Sequence, residues 1–261
     1  MKLVALLAAG VTTAVTVSVV GLPVPSTSAA VAVEPAAITT TTTATAAAVP
    51  APPPAAPVVI PSLPAGLAAG TAGGDVLGLQ TRLVELHYDP GTVDGRYGAG
   101  TALAVMAFQK VSGLPRTGVA DAGTLLALAG ASDPAPLVPT GSPSRVEVDM
   151  ARQVLLVWSD GQLAKILPVS TGSGKRYCEN GVCGVAVTPL GEFRVERRIA
   201  GLHRSPLGVL YDPVYFHEGF AIHGSPSIPP YPASHGCVRI PLHSSRWIYD
   251  HVSVGTPIHL L

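Results

Sequence analysis

Charge is what this chain has least of. Asp, Glu, Lys and Arg make up 12% of its 261 residues, about half of the roughly 25% usual in a soluble domain. Aromatic side chains are scarce too, at 5%. No excess of one sign exists: 16 basic residues face 16 acidic ones, with no cationic block to neutralise a row of phosphates, so nucleic acid is excluded as a partner. No His-Glu-x-x-His segment or His/Asp ligand set at metal spacing occurs, and neither a metal nor a cofactor is expected. A Gly-x-Ser-x-Gly elbow is missing as well, which removes the commonest serine-hydrolase pattern. Cysteine is limited to three residues, an odd number.

The shortage of charge is uneven. Residues 1–74 hold only Lys2 and Glu34, so the remaining 30 charges fall in the last 187 residues, 15 of each sign. Lys2, an apolar run from Leu3 to about Leu22, and the small residues Ser26 to Ala30 have the order of a secretory leader, expected over 1–30 with cleavage near Ala29, Ala30 or Ala32. The alternative is a retained anchor, since about 20 apolar residues span a bilayer, and only then is a membrane a partner. Either way the chain is expected to be exported to the cell envelope. Residues 31–74 are Ala, Thr, Pro, Val and Gly, with the run Thr39–Thr43 and the cluster Pro50 to Pro54. They offer too little large apolar surface to offset the entropy of ordering, and read as a disordered, partly extended tether.

From residue 75 to 130 the period becomes helical. Leu79, Leu83 and Leu86 recur on one face, a Gly-rich turn runs through Asp94-Gly95, a second helix is expected over Ala99–Val111, and a third from Asp121 to before Gly130. Ala99-Gly100-Thr101-Ala102 resembles Ala122-Gly123-Thr124-Leu125, an internal repeat after two Gly-rich turns. A three-helix bundle of this size suits binding better than catalysis. A second Pro-containing linker occupies 131–143, and 144–261 changes to alternating and β-branched runs: a mainly β, sandwich-like domain of mixed sheet with one late helix near Ser244–Val252 and a last strand at Pro257–Leu260.

Cys178 and Cys183 flank Glu179-Asn180-Gly181-Val182, and Asn-Gly is a favoured hairpin turn. A local disulfide there fits an oxidising compartment and leaves Cys237 unpaired. Cys237 lies in Ser234-His235-Gly236-Cys237-Val238-Arg239, with His223-Gly224 at the end of an expected strand. A thiol is a weak nucleophile at neutral pH until an imidazole takes its proton. The amides of Gly236 and Cys237 are candidate oxyanion donors, and Arg239 offers a fork for a substrate carboxylate. His217 with Glu218 reads as a surface turn, with a place in the cleft lining as the alternative; His203, His243, His251 and His259 are expected to be solvated. Tyr177–Val187, which carries the cysteine pair, either shapes a cleft edge or decorates a hairpin.

Two resemblances follow from these residues. The segment 75–130, through Leu79-Gln80-x-Arg82-Leu83, Val93-Asp94-Gly95-x-Tyr97-Gly98, Ala104-Val105-x-x-Phe108-Gln109 and Gly113-Leu114-Pro115, resembles the type 1 peptidoglycan-binding domain. Residues 144–261, through His223-Gly224, the Ser234–Arg239 run, Pro168 to Gly172 and Thr188-Pro189-Leu190-Gly191, resemble the L,D-transpeptidase (YkuD-type) catalytic domain, with Tyr177–Val187 as an insertion. The resemblance implies Cys237 as nucleophile and His223 as base, the Gly224 carbonyl orienting the imidazole, and Ser234, His235, Gly236 and Arg239 in support. It implies a wall-associated acyltransferase that joins peptidoglycan stems by 3–3 cross-links: a tetrapeptide stem as donor, a stem amine as acceptor, and no cofactor. Alternatives are an L,D-carboxypeptidase that hydrolyses the same thioester, and a silent wall-binding protein.

Overall fold

A computed structural model of the chain describes residues 66–261. The expected leader and nearly all of the expected tether lie outside the described residues.

Three helices come first: α1 (Gly74–Glu85), α2 (Ala99–Val111) and α3 (Ala122–Ala129). α1 buries Val76, Leu79 and Leu83 at helical spacing. α3 starts where Asp121 caps it, its carboxylate accepting from Thr124 N–H at 2.8 Å. The internal repeat has a physical counterpart. Gln80 Oε1 accepts from Asp94 and Gly95 N–H while its Nε2 donates to Thr101 Oγ1 at 3.0 Å. Gln109 Oε1 accepts from Gly118 N–H, and its Nε2 donates to Thr124 Oγ1 at 3.1 Å. Each buried glutamine thus ties a Gly-rich turn to the helix that follows it.

The remaining chain builds two five-stranded sheets, a hairpin and one helix. The first sheet runs β3 (Gln162–Pro168), β2 (Val154–Ser159), β1 (Arg145–Asp149), β12 (Pro257–Leu260), β6 (Gly191–Arg194), antiparallel except for the parallel β1–β12 pair. The second runs β11 (Val238–Pro241), β10 (Phe220–Ser225), β9 (Gly208–His217), β7 (Arg197–Arg198), with β8 (Leu202–Ser205) also on β9; β10 and β11 are parallel. β4 (Arg176–Glu179) and β5 (Val182–Val185) form the separate hairpin, closed by the Cys178–Cys183 disulfide. α4 (Leu242–His251) is the late helix, starting two residues before the expected Ser244.

β2 explains why Val154-Leu155-Leu156-Val157-Trp158 shows no alternation: both of its faces are covered. Leu155 and Val157 join Val214, Phe216, Ile222 and Val238 between the sheets. Val154, Leu156 and Trp158 face the other way and share one apolar cluster with Leu83, Val105 and Phe108 of the helices. The helices therefore pack on the first sheet and are not suspended from the 131–143 segment. That segment is itself pinned, with Leu137 and Val138 N–H donating to the buried Glu147 carboxylate. Ile166 N–H also donates to His87 C=O at 2.8 Å.

One histidine expected to be solvated is corrected by this packing. His259 is buried on β12 between its sheet neighbours. His203 is half-exposed and lines a cleft beside β9 and β10. His243 is exposed, as expected, with its Nε2 3.7 Å from Asp89, whose carboxylate also receives Lys165 and Ser244 at 2.9 Å each. Burial works to raise that carboxyl, but Lys165, His243 and Ser244 together hold it below the ordinary aspartate value.

Candidate active site

Parallel pairing of β10 with β11 puts His223 opposite Arg239 and Ile222 opposite Val238. Side chains two apart, and side chains paired across strands, share a face, so Cys237, Arg239 and His223 point the same way. They face a cleft of about 620 Å³, lined also by Tyr177 and Val185 from the hairpin and by Arg197, His203 and Tyr215. The hairpin insertion is thus a cleft wall. Among the described residues no carboxylate side chain lines the cleft, while Arg197, Arg239, His203, His223 and His235 do, so it favours an anionic occupant.

His223 Nδ1 lies 2.9 Å from the Gly224 carbonyl. Since a carbonyl only accepts, Nδ1 carries the proton and Nε2 is left with a free lone pair. Burial is the main cause that pulls the imidazole down to about 4, with Arg239 adding to it and the Gly224 bond opposing. Gly224 is required by packing: a Cβ there would sit 2.5 Å from Ser245 Cβ of α4. Cys237 is half-buried, with an edge open to the cleft and protein around the rest of it; its Sγ lies 3.9 Å from the Gly219 carbonyl. Burial pushes its thiol up, against smaller opposing effects of the Ala221 backbone and Arg239. Both shifts favour a neutral thiol and a neutral imidazole over an ion pair.

The loop that delivers Cys237 is fixed from both sides. Ser234 Oγ donates to Cys237 C=O at 2.6 Å and accepts from Gly236 N–H at 3.0 Å. Gly236 N–H is thereby engaged, which corrects its expected part in an oxyanion hole and leaves the Cys237 amide as the candidate of that pair. Thr188 Oγ1 donates to Gly236 C=O at 2.6 Å and accepts from Gly172 N–H at 2.8 Å. Gly236 has φ +139°, and a Cβ would meet the Phe220 ring at 2.6 Å, so only glycine fits. His235 turns toward the hairpin, its Nε2 3.2 Å from Glu179 Oε1 and its ring edge-on to Tyr177.

Several residues here escaped the sequence reading. Arg197 lies 3.6 Å over the Tyr215 ring in the cleft wall; nothing local in β7 marks it. Glu179 and Tyr177 matter only because the hairpin folds over His235. Thr188 was legible only as part of a resembling motif, without a role.

Residues 143–260 match the YkuD family, described as the L,D-transpeptidase catalytic domain, and residues 72–128 match a peptidoglycan-binding domain family. A solved L,D-transpeptidase from Xylanimonas cellulosilytica is 41% identical with a TM-score of 0.72, covering 77% of this chain and 100% of that one. The chain belongs to the L,D-transpeptidase family. A solved L,D-transpeptidase from Stackebrandtia nassauensis is 26% identical, with a TM-score of 0.43, over 74% of this chain and 93% of that one. Among curated proteins, the uncharacterized protein YbfG of Bacillus subtilis is 51% identical over 45 residues, 17% of this chain. This L,D-transpeptidase-family chain spans only 6% of that relative's length.

Proposed function

We propose that the chain is an exported, wall-associated L,D-transpeptidase that forms 3–3 peptidoglycan cross-links through a thioester on Cys237. The observation that carries this reading is that Cys237, the residue before β11, and His223 of the neighbouring strand β10 line one cleft, with Nδ1 of the imidazole tied to the Gly224 carbonyl. Nε2 of neutral His223 takes the thiol proton as Sγ attacks the carbonyl of the third stem residue, taken as diaminopimelate. The tetrahedral oxyanion is stabilised by backbone donors near Cys237. As the C–N bond breaks, the proton on His223 goes to the departing D-Ala amine. An amine of a neighbouring stem then attacks the thioester, its proton passes through His223 to the thiolate, and free Cys237 is restored.

The cleft supports an acidic peptide donor, since its charged lining is cationic; Arg239 is suited to a stem carboxylate. Ser234 and Gly236 hold the thiol in place, and His235 shapes the cleft wall beside it. The helices over 75–130, as a bundle-type module, would grip peptidoglycan, with residues 1–30 exporting the chain and 31–74 giving it reach.

Purified protein incubated with a disaccharide-tetrapeptide tests the reading by mass spectrometry. Cross-linked dimer with loss of D-Ala is the expected product, absent with Cys237→Ala. Tripeptide and D-Ala without dimer would replace transpeptidation with carboxypeptidation, and no turnover at all would leave a wall-binding protein.

A further inference from the structure

A lysine in the last turn of an exposed helix ordinarily projects into water. Lys110, in the last turn of α2, instead is 1% exposed. Its Nζ leaves the helical segment and donates to two backbone carbonyls of the β domain, Gln153 at 3.0 Å and Val169 at 2.9 Å. Burial pulls its ammonium down to about 7, with Arg116 adding to the effect. Such a group is costly to bury and is tolerated where its donors are satisfied.

What Lys110 holds is unusual too. Gln153 is itself buried and has φ +60°, a left-handed conformation that a non-glycine residue keeps only when its surroundings hold it. Its side chain clasps Thr171: Nε2 donates to Thr171 Oγ1 at 2.8 Å, and Oε1 accepts from Thr171 N–H at 2.9 Å. The Thr171 carbonyl accepts in turn from Ser234 N–H at 2.8 Å, and Ser234 Oγ holds the Cys237 carbonyl. A second, shorter route runs from the Val169 carbonyl across one peptide to Ser170, which exchanges N–H···O bonds with Arg239 at 3.0 and 3.1 Å. Both routes end on the strand and loop that carry the thiol.

We infer that Lys110 is a positioning residue for acyl transfer, a clamp from the helical module that fixes the Gln153–Thr171–Ser234 chain and through it the attitude of Cys237. The inference rests on the reading of Cys237 as nucleophile. It makes the helices a part of the catalytic apparatus, beyond any role in gripping the wall. Lys110 touches no substrate; it acts only through the carbonyls it holds.

The test uses the full chain with Lys110→Met, which keeps the buried stem and removes the donors. Ile166→Val serves as a control that trims the same interface and leaves the ammonium in place. Acylation of Cys237 by a carbapenem is expected to slow by about 10- to 100-fold in Lys110→Met, the scale of a misplaced reacting group, with the substrate KM little changed. Ile166→Val is expected to leave acylation near wild type. Amide exchange in residues 233–239 is expected to rise about tenfold in Lys110→Met, while β12 stays protected. Loss of acylation rate in both variants in proportion to their loss of melting temperature would overturn the proposal, as would unchanged exchange at 233–239. Should Lys110→Met not fold, Lys110→Gln carries the same comparison, because its amide nitrogen sits one atom short of the ammonium it replaces. A wild-type chain that fails to acylate would refute the nucleophile reading, while the exchange data would still report on the clamp.

Discussion

Two loops border the same cleft and are held in opposite ways. The Ser234–Cys237 loop is buried or half-buried, and its peptides are bonded by Ser234, Thr188 and Thr171. The β4–β5 hairpin is largely exposed, four residues on each strand, and is closed on itself by a disulfide. Its ties to the body are surface contacts: Asn180 Nδ2 to the Pro206 carbonyl at 2.8 Å, and Glu179 to His235. A buried loop can be held by hydrogen bonds because no water competes for them. An exposed one gains little from each bond and needs a covalent closure. The proposed nucleophile sits on the first kind of loop, and the cleft edge on the second.

The sharpest break of that comparison is at the thiol. Cys237→Ala should abolish the covalent carbapenem adduct seen by intact-mass spectrometry, whereas Cys178→Ser with Cys183→Ser should keep it. Next comes the base: His223→Gln should lower acylation by about 10²- to 10⁴-fold, the range of a general base. Because burial holds His223 at about 4, kcat/KM should stay level as pH falls to about 5 and halve near 4, where an ordinary imidazole of 6.5 would already be protonated. The sign for stability is the same. Between 6.5 and about 4 the unfolded chain takes up a proton that folded His223 refuses, so this group's contribution is lost as pH falls through that window. An acid limb of acylation near pH 6.5 would contradict the buried neutral base.

Smaller effects separate the two loops further. Thr188→Val should cost about 1–3 kcal/mol in denaturant titrations, because Gly236 C=O and Gly172 N–H lose a buried partner together. The double serine variant at Cys178 and Cys183 has an upper bound of about 2 kcal/mol from loop closure. Its visible change should be proteolysis near Asn180-Gly181, with acylation within about fivefold of wild type, the ceiling for an exposed pair such as Glu179–His235. A larger loss of acylation there than in Thr188→Val would reverse the ranking of the two loops.

What was legible in the sequence follows the same division between local and distant causes. Helix α2 was readable to its bounds, Ala99–Val111, because its apolar positions and flanking glycines are local signals. The Asn180-Gly181 turn was equally plain. His223 and Cys237 could be found because each sits in a short run of distinctive residues. The long strand β9 was largely hidden: Pro213 lowers its strand signal, and Asp212 takes φ +47° inside it, its carboxylate accepting from Gly201 N–H and Ser245 Oγ. Gln153, Thr171 and Lys110 were invisible as a group, since their partners lie 18 to 59 residues away. Lys110 even reads locally as a solvated residue that suits a helix C-terminus, and only packing on the sheet buries it.

The apolar cluster that runs from α1 and α2 into β2 and β3 has a geometric consequence. A binding module on a flexible leash lets its enzyme sample many stems around one anchoring point. Here the helices and the thiol belong to one continuous solid, so a glycan strand seated on the helices would meet the cleft at one distance and one angle. Under the proposed function the module would then work as a ruler, and the spacing of the stems it could present would be a property of the fold.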